Sequence, residues 1–486
     1  MIPSPVPPPT SPAVDWNPSP STADPAPASA VALRPGADPL SLAGLAACVA
    51  EARAAALSPQ SSPPDPTFFS SLRARIEKAS RELPEAYRAA VADPLRRALD
   101  GMGPGGFARI LAVDPGRTGP ARLLLDLCQA VLQRGEGYQA RATAAFQEVV
   151  SDLYEGFLSA EDRRGVKPPD HGVTPPLVRW GPAETGPYTW PARVTATFDV
   201  GAAVVSLPAA NATGGLLAWP ALAHEAAGHD ILEADDGLRE ELARAVRREV
   251  RAARIDPAVG GYWAERIDEA AADVLGVLNM GPAAAVGLVG YFRALNGVWR
   301  GTSSLRSAGA AEDPHPADLA RAYLAAETVR LLSFQGAGAW ADRLLAEADR
   351  DRDRIRFGDV PVTPEAARAS AAAVARAIVR TRVRSLEGRS LGEIQDWSDR
   401  DEAVVAALRP ALREEGGQPR AGRYVKGAYA AHAVAAAVYE AVAGGANPAR
   451  VQERMVSVLE GMHLRNPSWA GHPAAPPPAR RESGAA

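Results

Sequence analysis

Residues 219–230 read Trp-Pro-Ala-Leu-Ala-His-Glu-Ala-Ala-Gly-His-Asp, and this stretch sets requirements that the neighbouring chain must meet. Pro220 can open a helix, because its missing N–H falls in the first turn, where that donor has no partner anyway. His224 and His229 follow five residues apart, with Glu225 beside the first. An ideal α-helix turns about 100° per residue, which points residues five apart roughly 140° from one another. Both imidazoles reach one point only if the helix takes in an extra residue, as a single π-turn does. Gly228 is where such a distortion costs least. The chain has seven histidines in all, so two of them on one turn beside a glutamate mark a candidate metal site.

A metal needs a third protein ligand. Downstream, Tyr262 to Asn279 reads as one helix that Gly281 and Pro282 terminate. Glu269 and Asp273, four apart, lie on one face of it. Ile267, Val274, Val277 and Leu278 give that helix apolar neighbours, and Ala270-Ala271-Ala272 allow close packing on another helix. An acidic pair on such a face needs a partner to offset its desolvation, and a metal with its histidines is one.

His-Glu-x-x-Gly-His followed by a helix bearing Glu-x-x-x-acid resembles the dipeptidyl peptidase III family of zinc metallopeptidases, and more broadly the gluzincins, over about 60 residues. The resemblance implies a zincin-like core with Zn2+ as cofactor. It implies His224, His229 and Glu269 as ligands and Glu225 as general base. Asp268 matches the acidic residue preceding the third ligand, and Asp273 the acid that holds a histidine ring in place. The implied activity is hydrolysis of a peptide or small amide.

Such chemistry calls for a second electrophile at the oxyanion. His315, in Asp313-Pro-His-Pro-Ala-Asp318, is the first candidate, with an exposed loop histidine as the alternative; Tyr291 and Tyr323 are further candidates. Tyr424, Tyr429, His432 and Tyr439, near Lys426, form an aromatic stripe that fits either a substrate cleft or plain core. Two histidines and a carboxylate also describe the facial triad of non-haem iron oxygenases, and a non-catalytic metal-binding scaffold is the third reading.

Before the histidines, the stretch from Leu177 to Leu207 is rich in Trp, Tyr, Thr and Val. Arg193–Val200 alternates and Ala202–Leu207 follows a glycine, which predicts two strands of a small sheet. Val204-Val205-Ser206 could then offer a strand edge to an extended substrate. After them the texture is helical. Leu238, Leu242, Val246 and Val250 predict an amphipathic helix after Asp235-Asp236. Thr363-Pro364, the Ser390-x-x-Glu393 box and Asn447-Pro448 mark further helix starts. The run Asp349–Arg354 reads as a solvated face. The predicted class is mainly α with a small β-sheet.

The 486 residues carry a net charge of −4, without the basic excess that a nucleic-acid partner calls for. Cys48 and Cys128 are too few for a disulfide framework, which fits a reducing compartment. Twelve of the 44 prolines fall in the first 40 residues. The expected layout is a Pro/Ala-rich arm at 1–40, a helical segment at 41–165, the catalytic core at 166–300, a C-terminal helical segment at 301–470 and a tail at 471–486. The start lacks the apolar run of a secretory leader, and no window is apolar enough for a transmembrane helix. The expectation is a cytoplasmic protein with no membrane or nucleic-acid partner; the oligomeric state is left open.

Overall fold

The computed structural model describes residues 40–158, 165–171, 174–413 and 427–469. The expected tail, and the arm apart from Leu40, lie outside the described residues, as do Tyr424 and Lys426. The protein is mainly helical with two small three-stranded sheets among the described residues. Three of the expected helix starts are formed as read. Thr363 caps the helix Pro364–Arg380 by accepting from the Ala366 N–H. Asn447 accepts from Ala449 and Arg450, and Ser390 and Glu393 form a reciprocal capping box.

The first sheet runs β1 (Thr174–Gly181), β3 (Ala202–Pro208), β2 (Tyr188–Trp190), with β3 parallel to β1 and antiparallel to β2. Every residue of β3 is buried, as a strand covered on both faces requires. Since β3 is the central strand, Val204-Val205-Ser206 has no free edge, and the expected substrate edge is not there.

Arg193–Val200 is not a strand. Ala192–Thr195 is a helical turn and Ala196–Phe198 a 3-10 turn, closed by Asp199 at φ 57°. Pro191 supplies the preset φ that starts the turn. The Thr195 hydroxyl lies in hydrogen-bond range of the Ala192, Val200 and Ala202 carbonyls, at 3.0, 3.1 and 2.8 Å. Phe198 and Val200 are still buried, so the alternation marked inward positions that a compact turn supplies as well as a strand does.

Five helices position the site: α1 (Pro120–Gly135), α2 (Ala221–His224), α3 (Ile267–Met280), α4 (Pro282–Trp299) and α5 (Asp318–Arg330). A π-turn, Glu225–Asp230, continues α2. Trp180, Trp219 and Phe146 pack behind it, with Phe146 and Trp180 ring centroids 4.9 Å apart. The same hydrophobic cluster takes in Leu45, Trp219, Val374 and Leu459, residues from all three expected folded segments.

The helix read from Tyr262 to Asn279 is two. Pro257–Glu265 stops at Arg266 (φ −110°, ψ 30°), and α3 begins at Ile267. The buried Arg266 guanidinium donates to the Tyr262, Asp313 and Ala311 carbonyls at 3.3, 2.9 and 2.6 Å. One local carbonyl and two from the distant loop before α5 thus hold the bend. At its other end α3 stops at Met280, before Gly281 and Pro282, as expected.

Candidate metal centre

The five-residue histidine spacing is accommodated by the π-turn. Its i→i+5 hydrogen bonds bring residues five apart onto one side, and the His224 and His229 rings stand perpendicular with centroids 4.7 Å apart. Gly228 serves a purpose beyond backbone ease. A Cβ there would lie 2.5 Å from the Ala272 Cβ, so glycine lets α3 lie directly on the turn.

That contact delivers Glu269. Its Oε2 lies 3.5 Å from His224 Nε2, and its Oε1 lies 3.5 Å from His229 Nε2. One ligand atom from each of the three residues falls within 4.8 Å of the others. A tetrahedral ion with bonds of about 2.0–2.1 Å sets its ligand atoms roughly 3.4 Å apart. Glu269 Oε2 is buried and accepts no hydrogen bond, although Arg321 Nη1 approaches it at 3.1 Å outside hydrogen-bond alignment. A buried acceptor left without a donor between two imidazoles fits a cation.

Asp273 Oδ1 sits 2.9 Å from His224 Nδ1, which turns Nε2 toward Glu269. Asp273 in turn accepts from Arg321 Nε at 2.7 Å and Nη2 at 2.7 Å. Burial raises the Asp273 pKa, but Arg321 and the His224 hydrogen bond outweigh it and bring the group down to about 2. For Glu269 burial is again outweighed, by Arg321, His224 and His229, and the pKa is lowered. Burial would depress His224, yet Asp273 and Glu269 raise it. Asp268 stands apart from the triad, paired with Arg239 at 3.4 Å.

Glu225 is buried at 5% exposure and is held by β2. The Thr189 hydroxyl lies 2.8 Å from Glu225 Oε2. Alternation along β2 sends its neighbours the other way. The Tyr188 hydroxyl and the Trp190 indole N–H both donate to Asp126 of α1, at 2.6 and 2.8 Å. Arg179 of β1 pairs with the same carboxylate.

All of this opens into a cavity of about 800 Å³. Its lining includes His224, Glu225, His229, Glu269, Asp268, Tyr291 and His315. His315 Nε2 lies 3.5 Å from Glu269 Oε1 and its Nδ1 lies 3.0 Å from Asp313 Oδ1. Burial raises the Asp313 carboxyl, but His315 and Arg306 outweigh it and bring the pKa down to about 2. Tyr291 is buried, which raises its pKa, and the nearby Glu225 charge raises it further.

The other candidates lie elsewhere. Tyr323 donates to Asp349 at 2.7 Å, and Asp351 accepts from Arg293 at 2.6 Å. That run is therefore partly an anchor and not a fully solvated face. His432 pairs with Asp401 at 3.0 Å, and Tyr439 donates to Glu402 at 3.1 Å while stacking on Trp340. Neither lines the cavity, nor does Tyr429, which is 60% exposed. His432 and Tyr439 are therefore core, and Tyr429 is a surface residue away from the cavity.

Thr189, Arg266 and Arg321 are absent from the sequence reading because nothing local marks them. Arg321 is the most consequential. Arg321→Met leaves two buried carboxylates without their cation. Breaking such a pair costs about 3–5 kcal/mol, so metal-free Arg321→Met is expected to unfold in urea with that loss. Equal stability would show that the pair contributes little.

Comparison of the chain with protein-family models, curated proteins and solved structures returns no match.

Proposed function

We propose that the protein is a zinc-dependent hydrolase acting on peptides or other small amides. The observation that carries this reading is the convergence of His224, His229 and Glu269 beside a buried glutamate in an open cavity. Zinc in such a site supplies a Lewis acid for the scissile carbonyl and a water acidified toward neutrality.

The chain's own residues do the rest. Thr189 occupies Oε2 of Glu225, which leaves Oε1 to take a proton from the attacking water and pass it to the leaving amine. Asp313 holds the His315 ring through Nδ1, which keeps the ring at the cavity beside Glu269, within reach of a developing oxyanion. The edge strand β2 can align an extended substrate through its backbone, while Tyr188 and Trp190 hold that strand on Asp126.

The intact base and open cavity favour an enzyme over a structural metal site, which needs neither. Cys48 and Cys128 are buried and unbridged, which supports a reducing compartment, and we propose the cytoplasm. Among the described residues no helix is long and apolar enough to cross a membrane.

The test is turnover of a mixed-sequence peptide pool followed by mass spectrometry. The expected result is new peptide termini with the zinc-loaded protein, their loss with a chelator and their return with zinc. Oxygen-dependent modification with iron and no hydrolysis with zinc would transfer the site to the oxygenase reading.

A further inference from the structure

One wall of the cavity differs from the rest. Leu288, Phe292, Leu295 and Trp299 of α4 recur at intervals of four, three and four, which puts them in one stripe on one helical face. All four line the cavity, with Leu217 and Leu232 as apolar neighbours. Leu288 and Phe292 are only half-buried, and Trp299 is 57% exposed. The stripe reaches the metal centre at Phe292, whose ring lies against the Arg321 guanidinium at 4.8 Å, and that arginine contacts Glu269. It also runs on, because a second cavity of about 220 Å³ shares Tyr291, Leu295 and Trp299 as its wall.

We propose that this stripe is the specificity surface of the site and takes a large apolar side chain, aromatic above all, from a residue next to the scissile bond. The proposal rests on the hydrolase reading for the word scissile, but the recognition itself is a binding event. Open apolar surface beside polar catalytic groups is stabilised by covering it with another apolar group. None of the four stripe residues can pair with a charge, and the cations beside them, Arg321 at Phe292 and Arg300 after Trp299, repel a substrate Lys side chain laid there. Lys is therefore desolvated without a partner, while Asp is the milder mismatch. The same cavity is lined by Thr189, Glu225, Glu269 and His315. A substrate in it therefore meets both hydrogen-bonding groups and a hydrocarbon stripe, a combination that orients it.

The test is calorimetric binding of capped pentapeptides, Ala-Ala-X-Ala-Ala with X as Phe, Ala, Asp or Lys. The receptor is zinc-loaded protein carrying Glu225→Gln, so that binding is read without turnover. The Phe peptide is expected to bind about 10-fold tighter than the Ala peptide and about 100-fold tighter than the Lys peptide, with the Asp peptide between them. Leu288→Asp and Trp299→Asp, added singly, should each weaken the Phe peptide by about 10-fold with zinc content unchanged. Trp299 is exposed enough that its replacement leaves folding intact, which keeps the test decisive if Leu288→Asp fails to fold. Equal affinity for Phe and Lys peptides, or a Trp299→Asp protein with undiminished preference, overturns the proposal. Binding of the Phe peptide without cleavage by the zinc-loaded wild type would sink the hydrolase reading and leave the apolar wall standing.

Discussion

Glu225→Gln is expected to keep its zinc and lose hydrolysis by roughly 10³-fold, the middle of the range for a positioned general base. Glutamine has nearly the same shape, and its amide oxygen can still accept from Thr189, whose hydroxyl lies 2.8 Å from Glu225 Oε2. The change removes only the ability to hold a proton. The ligand atoms of His224, His229 and Glu269 are untouched, so metal content and peptide affinity should match the wild type. Steady-state kinetics on a cleaved peptide, paired with metal analysis of the same preparation, checks both halves. Turnover at the wild-type rate would remove Glu225 from the reaction.

Gly228→Ala has the second large effect, for a steric reason. The added Cβ would lie 2.5 Å from the Ala272 Cβ and 2.6 Å from its Cα. Neither atom belongs to a flexible side chain, so α3 must move away from the π-turn. Overpacking of this kind costs about 1–3 kcal/mol, occasionally more. The same displacement carries Glu269 and Asp273 away from the histidines. Urea denaturation of the metal-free protein should therefore show a loss near the upper end of that range, and zinc affinity should fall by about 10-fold or more. Ala272→Gly in the same chain should restore part of both. Unchanged stability and unchanged zinc affinity in the single variant would refute the close-approach role.

Local patterns were the legible part of this fold. The π-turn follows from a spacing that an α-helix cannot satisfy, and the caps at Thr363, Ser390 and Asn447 follow from short-range hydrogen bonding. Arg193–Val200 misled because alternation records which side chains point inward, and the turn that Thr195 ties together also buries Phe198 and Val200. The residues that hold the site in place were hidden for a different reason. Arg321 meets Asp273 across 48 positions, and Thr189 meets Glu225 across 36. Neither has a sequence pattern of its own, since an arginine on a helix and a threonine in a short strand are common. The one signal available for Arg321 was the charge balance: the carboxylates of Glu269 and Asp273 on one buried face call for more positive charge than two imidazoles supply.

The claim on which everything else stands is that His224, His229 and Glu269 hold zinc. Elemental analysis of protein purified without added metal tests it most directly, with wild type and His229→Ala prepared side by side. One zinc per wild-type chain is expected, with its loss from a folded His229→Ala protein. Wild-type protein without metal that takes up no zinc on addition, or a variant that keeps as much zinc as the wild type, would contradict it.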